Sequence, residues 1–278
     1  MPAPDTKTVY LIRHAESLEN ERIACLTRSL SSLSRFALPR RSDIRRSVEL
    51  LNVPAQVNSD VSPQGRAQIE QMAEKLAGED FLNSNGITLV AHSPLLRARQ
   101  TAEGMLGCCA APPPATAAAA PLPPPVERVE ELQCLTEKTP AEWVPGNHGP
   151  LDRRIGQFES WLCSQEDARI AIVGHSQFFK AMLGLGYKFG NCDVWEVTMD
   201  CGAKQAAERQ SDQGGGAASG EEGEKKDSEP SPLDLCASSS GKDFNGVLPR
   251  GWKDLKNIYR CEKKPLEEED EVGEAQED

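Results

Sequence analysis

Residues 8–17 read Thr8-Val9-Tyr10-Leu11-Ile12-Arg13-His14-Ala15-Glu16-Ser17, a short apolar run that ends in charged and polar side chains. The run is too short for a signal sequence or a membrane span, and its character predicts a buried strand from Thr8 to Arg13. Three later runs of the same kind predict strands over 87–92, 169–174 and 194–199. Helical patterns follow the first three runs, so the sequence predicts parallel βαβ units.

Capping residues delimit the helices between these strands. Ser62 and Pro63 supply an N-cap and a first-turn proline, apolar residues recur at helical spacing, and Gly78 ends the pattern. A second helix is predicted from Ser93-Pro94 to about residue 106, and a third from Asp152 towards the strand at 169.

Charge and cysteine usage exclude several classes of protein. The 278 residues carry a formal net charge of −12, of which −8 falls in residues 203–278, and this acidic balance argues against nucleic acid as a partner. The nine cysteines include no C-x-x-C pair, so we expect reduced thiols and no zinc knuckle. These features predict a soluble, cytoplasmic protein without a membrane or nucleic-acid partner.

Composition divides the chain into a folded part and a tail. We expect one domain over residues 1–202, with an extended surface insertion at 108–125, where seven prolines and an alanine run disfavour helix and central strand. Residues 203–242 are nearly free of large apolar side chains, which predicts disorder. Residues 243–278 combine a short apolar segment with an acidic tail, and this part either folds back onto the domain or binds a protein partner.

Three of the four histidines follow predicted strands. His14, His92 and His175 each stand at a strand's carboxyl end, and in an open parallel sheet these ends form one crevice where ligands bind. Arg13 precedes the first of them and Arg97 lies just after His92, so two guanidinium groups would reach the same crevice. The sequence thus predicts an anion site that contains imidazoles.

Four segments together resemble the histidine phosphatase superfamily, the phosphoglycerate-mutase-like proteins with an Arg-His-Gly motif. They are Leu11-Ile12-Arg13-His14-Ala15-Glu16-Ser17 with Asn20, Ser93-Pro94-Leu95-Leu96-Arg97-Ala98-Arg99-Gln100-Thr101-Ala102, Leu135-Thr136-Glu137, and Gly174-His175-Ser176. Ala15 stands where the family usually has Gly. The similarity covers about residues 8–200 and implies an α/β three-layer sandwich with a mainly parallel central sheet.

The resemblance also implies a reaction, the hydrolysis of a phosphomonoester through a phosphohistidine. His14 would attack phosphorus, His175 would stabilise the charge on the phosphoryl oxygens together with Arg13, Asn20 and Arg97, and Glu137 would protonate the leaving group. Neither a metal nor another cofactor is implied. The substrate would be a phosphorylated small molecule or a phosphoprotein.

Several residues keep alternative interpretations. The sequence after Glu137 departs from the family pattern, so Glu131 and Glu142 stay open as the general acid. We expect His92 to be a pocket-wall or hydrogen-bonded core residue and His148 to lie on the surface. The segment 21–56 predicts a solvated helical hairpin that overhangs the crevice, and one or two of its seven arginines could bind a second anionic group of the substrate: Arg22, Arg28, Arg35, Arg40, Arg41, Arg45 and Arg46.

Other classes of function are less consistent with the sequence. A nucleophilic Ser176 would need Gly at the position of Phe178 and a later histidine, which the chain lacks. A metallohydrolase using the three histidines would place arginines beside the cation. A mutase with the same phosphohistidine and a non-catalytic phosphate-binding scaffold stay open as alternatives.

Overall fold

The computed structural model describes residues 3–35, 38, 42–44, 58–108, 126, 128–139, 142, 149–204 and 248–262. The predictions for most of the 108–125 insertion, for residues 205–242, for the acidic tail and for His148 lie outside these residues.

The described residues form one six-stranded sheet in the order β3-β2-β4-β1-β5-β6. Its first four strands are parallel, whereas β5 is antiparallel to both β1 and β6. This mainly parallel sheet confirms the predicted fold class. The strands are β1 (Thr6–Arg13), β2 (Leu89–His92), β3 (Arg128–Glu131), β4 (Arg169–Gly174), β5 (Val194–Asp200) and β6 (Trp252–Tyr259).

Helices cover both faces of the sheet. Because successive side chains of a strand point to opposite faces, Val9 and Leu11 enter one core while Tyr10 and Ile12 enter the other. None of the described helices is long and apolar enough to cross a membrane. The helices are α1 (Leu18–Ser34), α2 (Pro63–Gly78), α3 (Phe81–Ser84), α4 (Leu96–Leu106), α5 (Gly149–Ser164) and α6 (Ser176–Leu183), with a 3₁₀ turn at Gln133–Leu135.

The capping prediction is confirmed for α2 and corrected for α4. Ser62 is the N-cap of α2, and its Oγ accepts a hydrogen bond from the backbone N of Gly65 at 3.0 Å. The helix predicted from Ser93-Pro94 begins at Leu96 instead. Ser93 Oγ accepts a hydrogen bond from the backbone N of Leu95 at 3.3 Å and lies 2.8 Å from Nε2 of His175, so this side chain links the start of the helix region to the end of β4.

The sheet extends beyond residue 202, where we predicted the domain to end. Strand β6 pairs with β5 along the sheet edge, and Trp252 and Leu255 are buried in the core on one face. Trp252 Nε1 donates a hydrogen bond to Oε1 of the buried Glu159 at 2.9 Å. This part of the apolar segment therefore folds back onto the domain.

The expectation that all cysteines are reduced thiols is wrong for one pair. Cys163 at the end of α5 and Cys201 just after β5 form a disulfide. A separation of 38 residues gives no spacing motif, and only the packing of α5 against the end of β5 brings the two residues together. The other cysteines of the described residues are not disulfide-bonded, namely Cys25, Cys108, Cys134, Cys192 and Cys261.

Candidate active site

The ring of His14 is held in one orientation at the end of β1. His14 is 2% exposed, and its Nδ1 lies 2.6 Å from the carbonyl oxygen of Ala15. A carbonyl only accepts hydrogen bonds, so Nδ1 carries the proton and Nε2 keeps its lone pair. The backbone N of Ala15 donates to Thr101 Oγ1 at 3.0 Å, which joins this turn to α4.

His175 meets His14 from the adjacent strand. It follows β4, which pairs with β1 in parallel, and the two ring centroids are 4.9 Å apart. His175 is fully buried, with Nε2 2.8 Å from Ser93 Oγ. In the strand order β2-β4-β1, the carboxyl ends of these three parallel strands therefore lie side by side, as the positions of the histidines predicted.

Glu137 lies at the centre of this group. Its Oε2 is 3.1 Å from Nδ1 of His175, 3.7 Å from a terminal nitrogen of Arg97 and 3.9 Å from Nε2 of His14. A short loop after the 3₁₀ turn carries the carboxylate over the strand ends. Of the three candidate acids, Glu137 is thus the one that the structure places beside His14.

The other two candidate acids have different surroundings. Glu131 ends β3, where its Oε1 accepts a hydrogen bond from Nε2 of Gln133 at 3.2 Å. Glu142 is buried and pairs with Arg154 at 2.7 Å, and its Oε2 accepts from the backbone N of Thr139 at 2.8 Å. Through these two contacts Glu142 stabilises the loop that contains Glu137.

Arg97 enters the group from the first turn of α4 and is 4% exposed. One terminal nitrogen faces Glu137, and the other lies 3.9 Å from Oε2 of Glu19 without a hydrogen-bond partner among the described residues. The amino end of a helix favours a negative charge, so this arginine and the helix attract the same kind of ligand. Glu19 belongs to no sequence motif, and only its position in the first turn of α1 could have suggested it.

Arg13 is positioned by the loop that precedes β5. Its NH1 donates a hydrogen bond to the carbonyl oxygen of Phe189 at 2.6 Å, while its Nε has no partner among the described residues. The same loop holds the next residue, because Nδ2 of Asn191 donates to the carbonyl oxygen of His14 at 3.0 Å. No sequence motif marks residues 189–193, so this loop could not be identified from the sequence.

Asn20 and His92 lie outside the group of contacts around His14. The backbone N of Asn20 donates a hydrogen bond to Ser17 Oγ at 3.3 Å in the first turn of α1, and a bond from its side chain to a phosphate stays a prediction. His92 is buried with Nδ1 2.9 Å from the carbonyl oxygen of Ser93. His92 is thus a hydrogen-bonded core residue.

The basic segment 21–56 is described only in part. Arg28 forms an ion pair with Asp43 at 3.0 Å, which links α1 to residues 42–44. The positions of Arg40, Arg41, Arg45 and Arg46 lie outside the described residues, so a second anion site here stays a prediction.

Burial and the neighbouring charges set the protonation of the site. Burial lowers the pKa of His14 to about 3, and Arg97 and Arg13 act in the same direction against the opposing contact with Glu137. Burial also lowers the pKa of His175. For Glu137, burial favours the protonated acid, but the contact with Nδ1 of His175 at 3.1 Å opposes it. Because a neutral His175 can donate a hydrogen bond there, the carboxyl pKa is held well below its usual range. At neutral pH the site therefore holds two neutral imidazoles, one carboxylate and two guanidinium cations.

We expect the free energy of unfolding to fall more steeply with acid in the wild-type chain than in His14→Gln. Below pH 6.5 the unfolded chain takes up a proton at His14, whereas the folded site does so only near pH 3. This contribution is fully present above pH 6.5 and is lost as the pH falls, by about 1.4 kcal/mol per unit. Urea unfolding of both chains between about pH 7 and pH 5 measures the difference, and parallel pH profiles would contradict it.

Two kinds of ligand fit the residues around His14. Ligand atoms of His14, Glu137 and His175 lie within 4.8 Å of one another, which is a spacing that a metal ion could bridge. Arg97 is 3.7 Å from the same carboxylate, and such a cation beside the ligands disfavours a metal and favours an anion. A phosphoryl group matches the neutral Nε2 together with the arginine forks.

Comparison with known proteins agrees with the resemblance seen in the sequence. Residues 49–117 match the model of the histidine phosphatase superfamily (branch 1), which confirms the predicted resemblance to that superfamily. This segment includes Arg97, whereas His14, Glu137 and His175 lie outside it. A search of curated proteins finds no match.

Several solved structures are similar to this chain. Phosphoserine phosphatase from Entamoeba histolytica in complex with 3-phosphoglyceric acid is 15% identical with a TM-score of 0.40, covering 69% of this chain and 90% of that one. Mycobacterial glucosyl-3-phosphoglycerate phosphatase is 14% identical with a TM-score of 0.39, covering 70% and 91%. The protein histidine phosphatase SixA complexed with tungstate is 16% identical with a TM-score of 0.38, covering 70% and 90%.

Proposed function

We propose that this protein is a phosphatase that hydrolyses a phosphomonoester through a phosphohistidine formed on His14, without a metal ion. The observation that carries the proposal is the neutral Nε2 of His14, on the far side of the ring from the hydrogen bond that fixes it. This nitrogen lies 3.9 Å from the carboxylate of Glu137, and the same carboxylate lies 3.7 Å from the guanidinium of Arg97. Chemistry of this kind is what a nucleophilic imidazole, an acid and fixed cations can perform together.

In the first half of the reaction, Nε2 of His14 attacks phosphorus in line with the ester oxygen. The bond from nitrogen to phosphorus forms as the bond from phosphorus to the ester oxygen breaks. Arg13, Arg97 and His175 would surround the equatorial oxygens, where the transition-state charge is spread. No base is needed to activate the nucleophile, because burial keeps this imidazole neutral by lowering its pKa to about 3.

Glu137 would supply the proton that the leaving oxygen takes up. In the free site its carboxylate lies among the cationic and hydrogen-donating groups, so an entering phosphate would replace it there. The negative charge of the phosphate then favours the protonated carboxyl beside it. In the second half of the reaction, ionised Glu137 accepts a proton from water as the water oxygen attacks phosphorus and the bond to His14 breaks.

Two buried donors support an oxyanion in this place. Nε of Arg13 and NH1 of Arg97 have no hydrogen-bond partner among the described residues, although a buried N–H group normally has one. Oxygens of a phosphoryl group between the two arginines would accept from both.

The test is turnover of an aryl phosphate by the full chain after exhaustive treatment with a chelator. We expect turnover to persist and a brief incubation with substrate to leave acid-labile phosphate on His14. Loss of turnover that returns with an added divalent cation would favour the metal alternative. Phosphate transfer to an acceptor with no release of inorganic phosphate would favour a mutase.

Glu137→Gln is expected to slow substrates with poor leaving groups far more than those with good ones. Glutamine keeps the size of the side chain and cannot donate the carboxyl proton, and general acid catalysis contributes about 10²–10⁴-fold. Rates for alkyl and nitrophenyl phosphates measure the difference, with Glu131→Gln as a control at the end of β3. Equal slowing of both substrates would show that another group is the acid.

A further inference from the structure

The loop at residues 189–193 holds both Arg13 and His14 in place. Besides the bonds from the Arg13 guanidinium and the Asn191 amide, the backbone N of Cys192 donates to the carbonyl oxygen of Arg13 at 3.0 Å. The backbone N of Arg13 in turn donates to the carbonyl oxygen of Asp193 at 3.3 Å. Any movement of this loop would therefore be transmitted to the end of β1.

The end of β6 is attached to the same loop. Just after the strand, the backbone N of Cys261 donates to Oδ1 of Asp193 at 3.1 Å, while Oδ2 of Asp193 accepts from the backbone N of Gly190 at 3.0 Å. Cys261 packs against the core cluster in which Cys192 is fully buried. Val194 of β5 pairs with Tyr259 of β6 two residues away from each cysteine, and each thiol shifts the pKa of the other.

The two thiols differ in burial and in thiol pKa, as a reactive cysteine and the resolving cysteine beside it do. Cys261 is half-buried, and its interaction with Cys192 lowers its thiol pKa below the usual value. Cys192 is fully buried, and the same interaction together with burial raises its thiol pKa. Oxidation-sensitive cysteines are partly accessible, rich in thiolate and placed beside a second thiol.

Cys192 also adopts an unusual backbone conformation. Its φ is 58°, in the left-handed region that glycine and asparagine occupy most easily. A cysteine there is disfavoured relative to glycine, so the backbone geometry alone does not account for the side chain.

We propose that Cys192 and Cys261 form a reversible, peroxide-sensitive disulfide that regulates the site at His14. The thiolate of Cys261 attacks one oxygen of hydrogen peroxide, which breaks the oxygen–oxygen bond and gives a sulfenic acid and hydroxide. The thiol of Cys192 then attacks the sulfenic sulfur and water leaves. In sum, two thiols and one peroxide give one disulfide and two water molecules, and a dithiol reductant reverses the change.

Bond formation draws the sulfur atoms from contact to about 2 Å, which pulls on the backbone of Cys192. The carbonyl and amide groups that fix Arg13 and His14 belong to that loop. Misplacement of reacting groups by about 1 Å can cost about 100-fold in rate. The disulfide should therefore lower turnover. This effect on turnover rests on the proposed phosphatase function, but the formation of the disulfide itself does not depend on that function.

The experiment treats the reduced full chain with about one equivalent of hydrogen peroxide and maps the peptides without reductant. We expect a crosslinked peptide that joins Cys192 to Cys261, and a parallel loss of aryl phosphate turnover of about 10- to 100-fold. Dithiothreitol should restore the activity. The same measurement on Cys163→Ala/Cys201→Ala shows that the structural disulfide is not the bond being broken and remade.

Cys261→Ser and Cys134→Ser form a matched pair of variants. Both cysteines are half-buried and free, but burial raises the thiol pKa of Cys134. We expect Cys261→Ser to keep the basal turnover and lose the response to peroxide, and Cys134→Ser to keep both. Absence of the crosslinked peptide, or a full peroxide response in Cys261→Ser, would overturn the proposal.

Two outcomes separate this proposal from the proposed function. An active enzyme that forms the crosslink with unchanged turnover overturns the regulatory role and leaves the phosphatase assignment intact. A reduced chain without phosphatase activity overturns the assignment, and peptide mapping alone then decides whether the two thiols form the oxidation site.

Discussion

His14→Asn is expected to abolish both turnover of an aryl phosphate and incorporation of acid-labile phosphate. Asparagine can keep the hydrogen bond to the Ala15 carbonyl that Nδ1 of the imidazole makes, but it has no nucleophilic nitrogen in place of Nε2. Removal of a positioned arginine in phosphoryl transfer costs about 10³–10⁵-fold, and loss of the nucleophile should cost at least as much. Release of inorganic phosphate and retention of label on the denatured protein are the two measurements.

His92→Asn is the matched control. His92 is also buried at the end of a parallel strand, and its Nδ1 also lies beside the backbone carbonyl of the next residue, at 2.9 Å. Because its ring does not belong to the contacts around Glu137, we expect this variant to keep label incorporation and most of the turnover. Normal label on His14→Asn would overturn the assignment of the nucleophile, and loss of label in both variants would point to damaged folding.

The sequence was sufficient to predict how the central strands assemble the site. β1, β2 and β4 are short apolar runs whose ends carry histidines, and parallel pairing then requires those ends to meet at one edge. The prediction of β4 agrees with the observed strand from Arg169 to Gly174. Arg97 could be placed as well, because it follows β2 at the start of a helix.

Partners that come from distant, unpatterned parts of the chain could not be predicted. The bond of His175 to Ser93, the approach of Glu19 to Arg97 and the loop at 189–193 depend on tertiary contacts that no local periodicity encodes. Strand β3 has only four residues, none of them fully buried, so it lacks an apolar signature. The sequence of β6 indicates an apolar segment. Its pairing with the edge of β5 is a tertiary contact that the segment itself does not encode.

A chain that ends at Lys204 is expected to lose most of its stability. Removing β6 takes Trp252 and Leu255 out of the core, and each buried side chain of this size contributes about 1.5–3 kcal/mol. Glu159 also loses the indole N–H that it accepts in a buried position, at a cost of about 1–3 kcal/mol. The combined loss, about 4–9 kcal/mol, is comparable with the total stability of an ordinary domain, about 5–15 kcal/mol.

The decisive comparison keeps β6 and removes the segment before it. Residues 204 and 251 lie close together, because a Cβ placed on Gly251 would be 3.6 Å from the backbone N of Lys204. A linker of about six Gly and Ser residues spans about 13 Å and can therefore replace residues 205–247. We expect this chain to keep the wild-type urea midpoint and the turnover, while the chain ending at Lys204 unfolds at much lower urea. If both chains were equally stable, strand β6 would add nothing to the fold, and the domain would end near residue 202 as its composition suggests.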